Sequence, residues 1–120
     1  MDGTFLKPLK ISQGDWLDEC PYCQGNNLHQ ETISVYNPDV PRVEWDIEPG
    51  SMGRYTPMTR VTHVFDNGTV TTARVERNAT NNPSQDREGL LVEFYCETCD
   101  NKPTLAIFQH KGTTFIGWAQ

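Results

Sequence analysis

The sequence predicts an all-β chain organised around an antiparallel sheet, and three observations lead there. Turn-forming residues are dense, with 9 Gly and 8 Pro among 120 residues, and they cut the chain into pieces too short for typical helices. The pieces alternate apolar and polar side chains with a period of two, most cleanly in Arg42-Val43-Glu44-Trp45-Asp46-Ile47-Glu48, as half-buried strands do. All four cysteines fall in two Cys-x-x-Cys pairs, Cys20/Cys23 and Cys96/Cys99, near the two ends of the chain. A chain of this length is one domain, residues 1–120, and with 36% hydrophobic residues its core is small enough for a cross-link to matter.

Taken in order, residues 1–19 form an irregular N-terminal arm with scattered anchors (Phe5, Leu6, Leu9, Ile11, Trp16, Leu17), room for one short strand and a helical turn near Asp15–Glu19. After the first cysteine pair, Leu28–Tyr36 reads as a strand ended by Asn37-Pro38-Asp39. Arg42–Glu48 reads as a second strand with Val43, Trp45 and Ile47 turned to the core, closed by Pro49-Gly50. A loop over 51–58 leads to a hairpin around Asp66-Asn67-Gly68. A three-residue loop with Gly68 in a left-handed bulge gives the register that best sorts its faces. It pairs Val61 with Ala73, His63 with Thr71 and Arg60 with Arg74, with His63 inward and both arginines outward. Residues 78–88 contain no large apolar side chain and read as a mobile loop. A strand at Leu90–Tyr95 runs into Cys96. A last hairpin turns at Lys111-Gly112 and pairs Phe108 with Phe115, Ile107 with Ile116 and Leu105 with Trp118. Its two faces are both apolar, which places it at the centre of the fold.

The formal net charge is −6, and four thiolates on one divalent cation would lower it to −8, so a diffuse positive field for nucleic acid is disfavoured. No apolar run is long enough to span a bilayer. With no basic, apolar leader at Met1–Thr4, the expectation is a soluble, cytoplasmic protein away from membranes, and Asn67-Gly68-Thr69 and Asn78-Ala79-Thr80 read as turn residues.

Two knuckles of two thiols each satisfy a tetrahedral zinc site completely. Disulfides and a thioredoxin-like redox motif are the alternatives. The first lacks a secretory context, and the second needs a single Cys-x-x-Cys in a βαβ setting. Cys20-Pro21-Tyr22-Cys23, with Gly25 soon after, and Cys96-Glu97-Thr98-Cys99 resemble the knuckles of the zinc-ribbon superfamily. That resemblance implies one structural Zn²⁺ held by Cys20, Cys23, Cys96 and Cys99, in a ribbon-like four-Cys clasp around a long β insertion. The 72 residues between Cys23 and Cys96 far exceed a compact ribbon. The clasp would join the first strand to the last hairpin, with Gly25 and Asn101 supplying positive φ. The segment Phe108–Thr114 is also similar to short phage and actinobacterial zinc-ribbon proteins.

A closed four-thiolate site leaves the ion no open position, and no nucleophile-and-base pattern occurs, so no enzyme is expected. His63 and His110 would meet only if their strands adjoin. The acidic row Glu44, Asp46 and Glu48 is either a solvated face or a contact for a protein partner. The partner reading makes the chain an accessory module, a phage or mobile-element factor that docks on a host protein. The alternative is a nucleic-acid-binding ribbon that uses Arg60, Arg74 and Arg77, unless Glu76 offsets the facing arginines.

Overall fold

The computed structural model describes residues 6–7, 17, 19–45, 53–84 and 87–119. Among the described residues seven strands form one sheet: β1 (Leu6–Lys7), β2 (Leu28–Glu44), β3 (Arg54–Val64), β4 (Val70–Glu76), β5 (Gly89–Cys96), β6 (Thr104–His110) and β7 (Thr113–Ala119). Their order is β1-β7-β6-β5-β2-β3-β4, and every neighbouring pair is antiparallel. The all-β antiparallel expectation is met. The short strand in the N-terminal arm is β1, which pairs Leu6 with Ala119 and Lys7 with Trp118; the helical turn proposed near Asp15–Glu19 lies largely outside the described residues.

β2 is the axis of the molecule. Its 17 residues would extend about 56 Å, close to the longest dimension of 65 Å. The sequence divided this stretch at Asn37-Pro38-Asp39, yet the strand continues through it. Asn37, Pro38 and Asp39 keep regular register with Arg60, Thr59 and Met58, and the irregularity follows them as a bulge: Arg42 faces Thr56, so Val40 and Pro41 stand against the single residue Pro57. Pro41 and Pro57 sit where the ladder is already broken and no amide donor is missed. A second irregularity sets Glu31 and Thr32 against Glu93, between the pairs Gln30–Phe94 and Ile33–Val92.

The bulge also overturns the expected burial of the following residues. Val43 is 38% exposed and Trp45 70% exposed, because beyond the bulge β2 pairs, among the described residues, only with Arg54–Thr56 of β3 and forms a two-stranded ribbon. Ile47 lies outside the described residues. The segment read as a loop over 51–58 is strand from Arg54 onward.

Both hairpin registers match their sequence reading. Phe65 N–H donates to the Thr69 carbonyl at 2.9 Å, and Gly68, at φ 87°, closes the three-residue loop. Val61 faces Ala73, His63 faces Thr71 and Arg60 faces Arg74. In the last hairpin Phe108 faces Phe115, stacked at 5.4 Å, and Leu105 faces Trp118. Its expected central place is corrected, because β5 and β2 occupy the middle. Among the described residues β7 is covered at its outer side only by the two residues of β1, and Ile116 is 50% exposed.

Few side chains are deeply buried. Tyr36, Val61, Ala106 and Phe108 are buried on one face of the sheet, and Val92 and Trp118 on the other. The stretch 78–88 lacks an apolar anchor, as read, but it has a polar one. Asn82 and Ser84 are 4% and 5% exposed. Asn82 Nδ2 donates to the Arg87 carbonyl at 2.9 Å, and the Ser84 amide donates to Asn82 Oδ1 at 3.1 Å. These bonds brace the loop on itself, and Ser84 Oγ donates to the Gln109 carbonyl of β6 at 3.4 Å, so Asn82, Pro83 and Ser84 are buried through polar contacts that hydrophobicity alone does not flag.

Candidate metal centre

The two knuckles are built on one plan. Cys20 N–H donates to the Gly25 carbonyl at 2.7 Å and Cys96 N–H to the Asn101 carbonyl at 3.0 Å; the Gln24 and Asp100 amides return to the Cys20 and Cys96 carbonyls, both at 2.9 Å. The left-handed residue of each turn is Gln24 (φ 62°) or Asp100 (φ 60°), one position earlier than the expected Gly25 and Asn101. Gly25 is required for another reason. A Cβ there would stand 2.8 Å from Thr98 Oγ1 and 3.3 Å from Cys23 Sγ, because the second knuckle packs on the first.

The clasp does not join the first strand to the last hairpin. One knuckle precedes β2 and the other follows β5, and these are adjacent strands that pair Leu28 with Cys96. Hydrogen bonding along that ladder therefore brings the four sulfurs together even though 72 residues separate the pairs.

All four sulfurs lie within 4.8 Å of one another. Cys20 Sγ is 3.8 Å from Cys99 Sγ, and Cys23 Sγ is 3.6 Å from Cys96 Sγ. Tetrahedral thiolates bonded at about 2.3 Å to one ion would be about 3.8 Å apart, whereas a disulfide requires about 2.05 Å. The spacing thus fits four ligands around an ion, and the four cysteines are free. Tyr22 and Gly25 amides point at Cys20 Sγ and Cys23 Sγ at 3.4 and 3.3 Å, and Asn101 Nδ2 donates to Cys99 Sγ at 3.3 Å. Donors of this kind stabilise sulfur that carries negative charge. Cys20 and Cys96 are fully buried.

Without a cation the thiols divide their protons unequally. Burial, above all, pushes Cys20 up. The Gly25 amide pulls Cys23 down, but burial and the neighbouring sulfurs outweigh it and push the thiol up to about 12. Cys99 is drawn down to about 7, first by the Asn101 backbone amide and then by its side chain. A cation that takes all four as thiolates must displace these protons.

The other candidate residues do not form a centre of their own. Glu44 is exposed and pairs with Arg42 at 3.3 Å; Asp46 and Glu48 lie outside the described residues. Arg74 pairs with Asp39 at 3.2 Å and donates to the Val40 carbonyl at 2.6 Å. Glu76, expected to offset the arginine pair, binds Arg42 instead at 3.0 Å. Arg60 is exposed beside Arg74 and has no ion pair among the described residues. Arg77 is half-buried at the start of a single 3₁₀ turn. His63 and His110 stand on strands separated by β2 and β5 and do not meet; His63 Nδ1 is bound to Ser34 Oγ at 2.8 Å and His29 to Glu97 at 3.1 Å.

What the sequence reading missed is the exposed apolar ribbon. Val40, Trp45 and Tyr55 are 67%, 70% and 59% exposed, with the two rings edge-to-face at 6.3 Å. The signal available was Pro41 opposite Pro57, which marks where the broad sheet gives way. Comparison with protein-family models, with curated proteins and with solved structures returned no match, so the metal centre is read from this chain's own geometry.

Proposed function

We propose that this chain is a small zinc-stapled accessory module that binds a protein partner. The observation that carries the reading is the spacing of the Cys20, Cys23, Cys96 and Cys99 sulfurs, 3.6 and 3.8 Å across the centre. A closed set of four thiolates is the donor set of structural zinc. With every ligand position filled by protein, the ion has no place for water or substrate, and the reading assigns the chain no enzymatic activity. Thiolates kept reduced belong to an intracellular setting.

The partner half rests on the ribbon. Exposed Trp and Tyr side chains are the commonest energetic anchors of protein interfaces. Here Trp45 and Tyr55 are flanked by Glu44, the described member of the acidic row, which suits a partner with a basic rim. The resemblance of Phe108–Thr114 to phage proteins suggests that the module serves a phage or mobile element by docking on a host protein. Nucleic acid is less well supported, because Arg74 is engaged by Asp39 and the Val40 carbonyl.

Metal analysis of gently purified protein tests the first half: about one zinc per chain is expected, and metal-free or iron-loaded protein would overturn it. For the second, affinity capture with nuclease treatment should retain a protein partner that the Trp45→Ala, Tyr55→Ala double variant loses. A salt-sensitive shift of oligonucleotide that disappears in Arg60→Ala would replace the partner with nucleic acid.

A further inference from the structure

We propose that the outer edge of β4 pairs with the β4 edge of a second copy, antiparallel about Ala73, so that two seven-stranded sheets join into one. The inference rests on the backbone of β4 and is independent of the metal and the ribbon. Among the described residues β4 ends the sheet at one side. Natural edge strands are usually blunted by proline, bulges or inward charges. Val70–Glu76 contains no proline, its pairing with β3 is unbroken over seven residues, and Val70–Arg74 are all exposed.

The ladder fixes which groups are free. Phe65 and Thr69 form a hydrogen-bonded pair, and alternation along an antiparallel ladder makes His63–Thr71, Val61–Ala73 and Thr59–Val75 the others. Thr62 and Thr72 then sit at a close, non-bonded pair, and their hydroxyls do meet at 3.3 Å. The amides and carbonyls of Val70, Thr72, Arg74 and Glu76 therefore point away from β3.

Those four residues are self-complementary in one register. Centring the two-fold axis on Ala73 sets Thr72 against Arg74 and Val70 against Glu76 of the second copy, so every outward backbone group finds a partner. It opposes no like charges. The closest pair of the interface, at the axis, falls on Ala73, the smallest side chain of the strand. Centring on Arg74 instead would oppose two arginines, centring on Thr72 would leave Glu76 unpaired, and a shift by one residue would face bonded groups with non-bonded ones. The Arg74 side chain does not obstruct the edge, because it folds back over β3 to Asp39 and Val40 of β2. The isologous contact this produces is the ordinary geometry of a two-fold dimer.

Sedimentation of the full metal-loaded chain across the micromolar range should show a monomer–dimer equilibrium. Thr72→Pro removes an outward amide while leaving the β3 ladder its donors, and should weaken the dimer about tenfold or more. Metal content and circular dichroism report whether that variant folds. Ala73→Cys adds a readout that does not depend on it: mild oxidation should trap a disulfide dimer at the axis, where facing Cβ atoms are close. Thr71→Cys, on the same face but far from its own counterpart, should not cross-link. A wild-type chain that stays monomeric, a folded Thr72→Pro dimer of unchanged strength, or equal cross-linking by the two cysteine variants would each overturn the proposal.

Discussion

Gln24 and Asp100 turn the two knuckles, although neither is a glycine. Sequence reading assigned that task to Gly25 and Asn101, because glycine is the usual carrier of positive φ and the left-handed region costs other residues about 1–2 kcal/mol. The real constraint on Gly25 is tertiary: Thr98, far away in sequence, lies against it, and no local pattern encodes that neighbour. The four ligands themselves were fully legible, since two Cys-x-x-Cys pairs admit few other chemistries. Gly25→Ala should press on Thr98 and Cys23 and weaken zinc binding about tenfold, the scale of losses beyond the ligand shell. Competition with a chromophoric chelator measures this. Unchanged affinity would mean that Thr98 yields freely.

At the scale of the strand, the first hairpin's register could be read because one pairing sorts its faces, the last one's because a two-residue turn sets apolar residues opposite one another, and each has a loop glycine that fixes its turn. β2 could not be read so well. Its two bulges shift alternation by one residue, and they are held by side chains from distant parts of the sequence. Lys102 lies 3.4 Å from Glu31 and 3.9 Å from Glu93 at the first, and Arg74 reaches from β4 across β3 to Asp39 and Val40 at the second. Arg74 is thereby a bracket for the ribbon. Arg74→Ala should leave the Val40 carbonyl and the Asp39 carboxylate to water and cost about 1 kcal/mol, discounted for the partly exposed setting. Urea unfolding of metal-loaded protein reads this directly, and a loss below a few tenths would reduce the contact to decoration.

The whole molecule is a single layer with a small buried core, 21 Å in its shortest dimension. Structural zinc sites contribute about 10–16 kcal/mol, as much as the entire stability of a typical domain, about 5–15 kcal/mol. Chelation should therefore abolish the β-sheet signal in circular dichroism, and restored metal should recover it; a chain that stays folded without metal would show that the sheet suffices alone. Acid should act in the same direction. Cys20 and Cys23 are raised and so hold their protons at neutral pH when no ion is bound. The ion requires them ionised, so lowering pH favours the protonated, metal-free form, and metal retention followed with an indicator dye should fall as pH is lowered.

The pairing of β2 with β5 has a consequence in time. A ribosome adding about 5–20 residues per second delivers Cys96 about 4–15 s after Cys23. Throughout that interval the nascent chain offers an ion only half of its ligands. The insertion that β2 and β5 enclose is complete before the last two thiols emerge, so an ion held by all four would be bound tightly only after translation has passed Cys99. On the zinc reading, a message truncated earlier should yield a chain with half of the ligands, unable to hold the ion tightly or to keep the sheet closed.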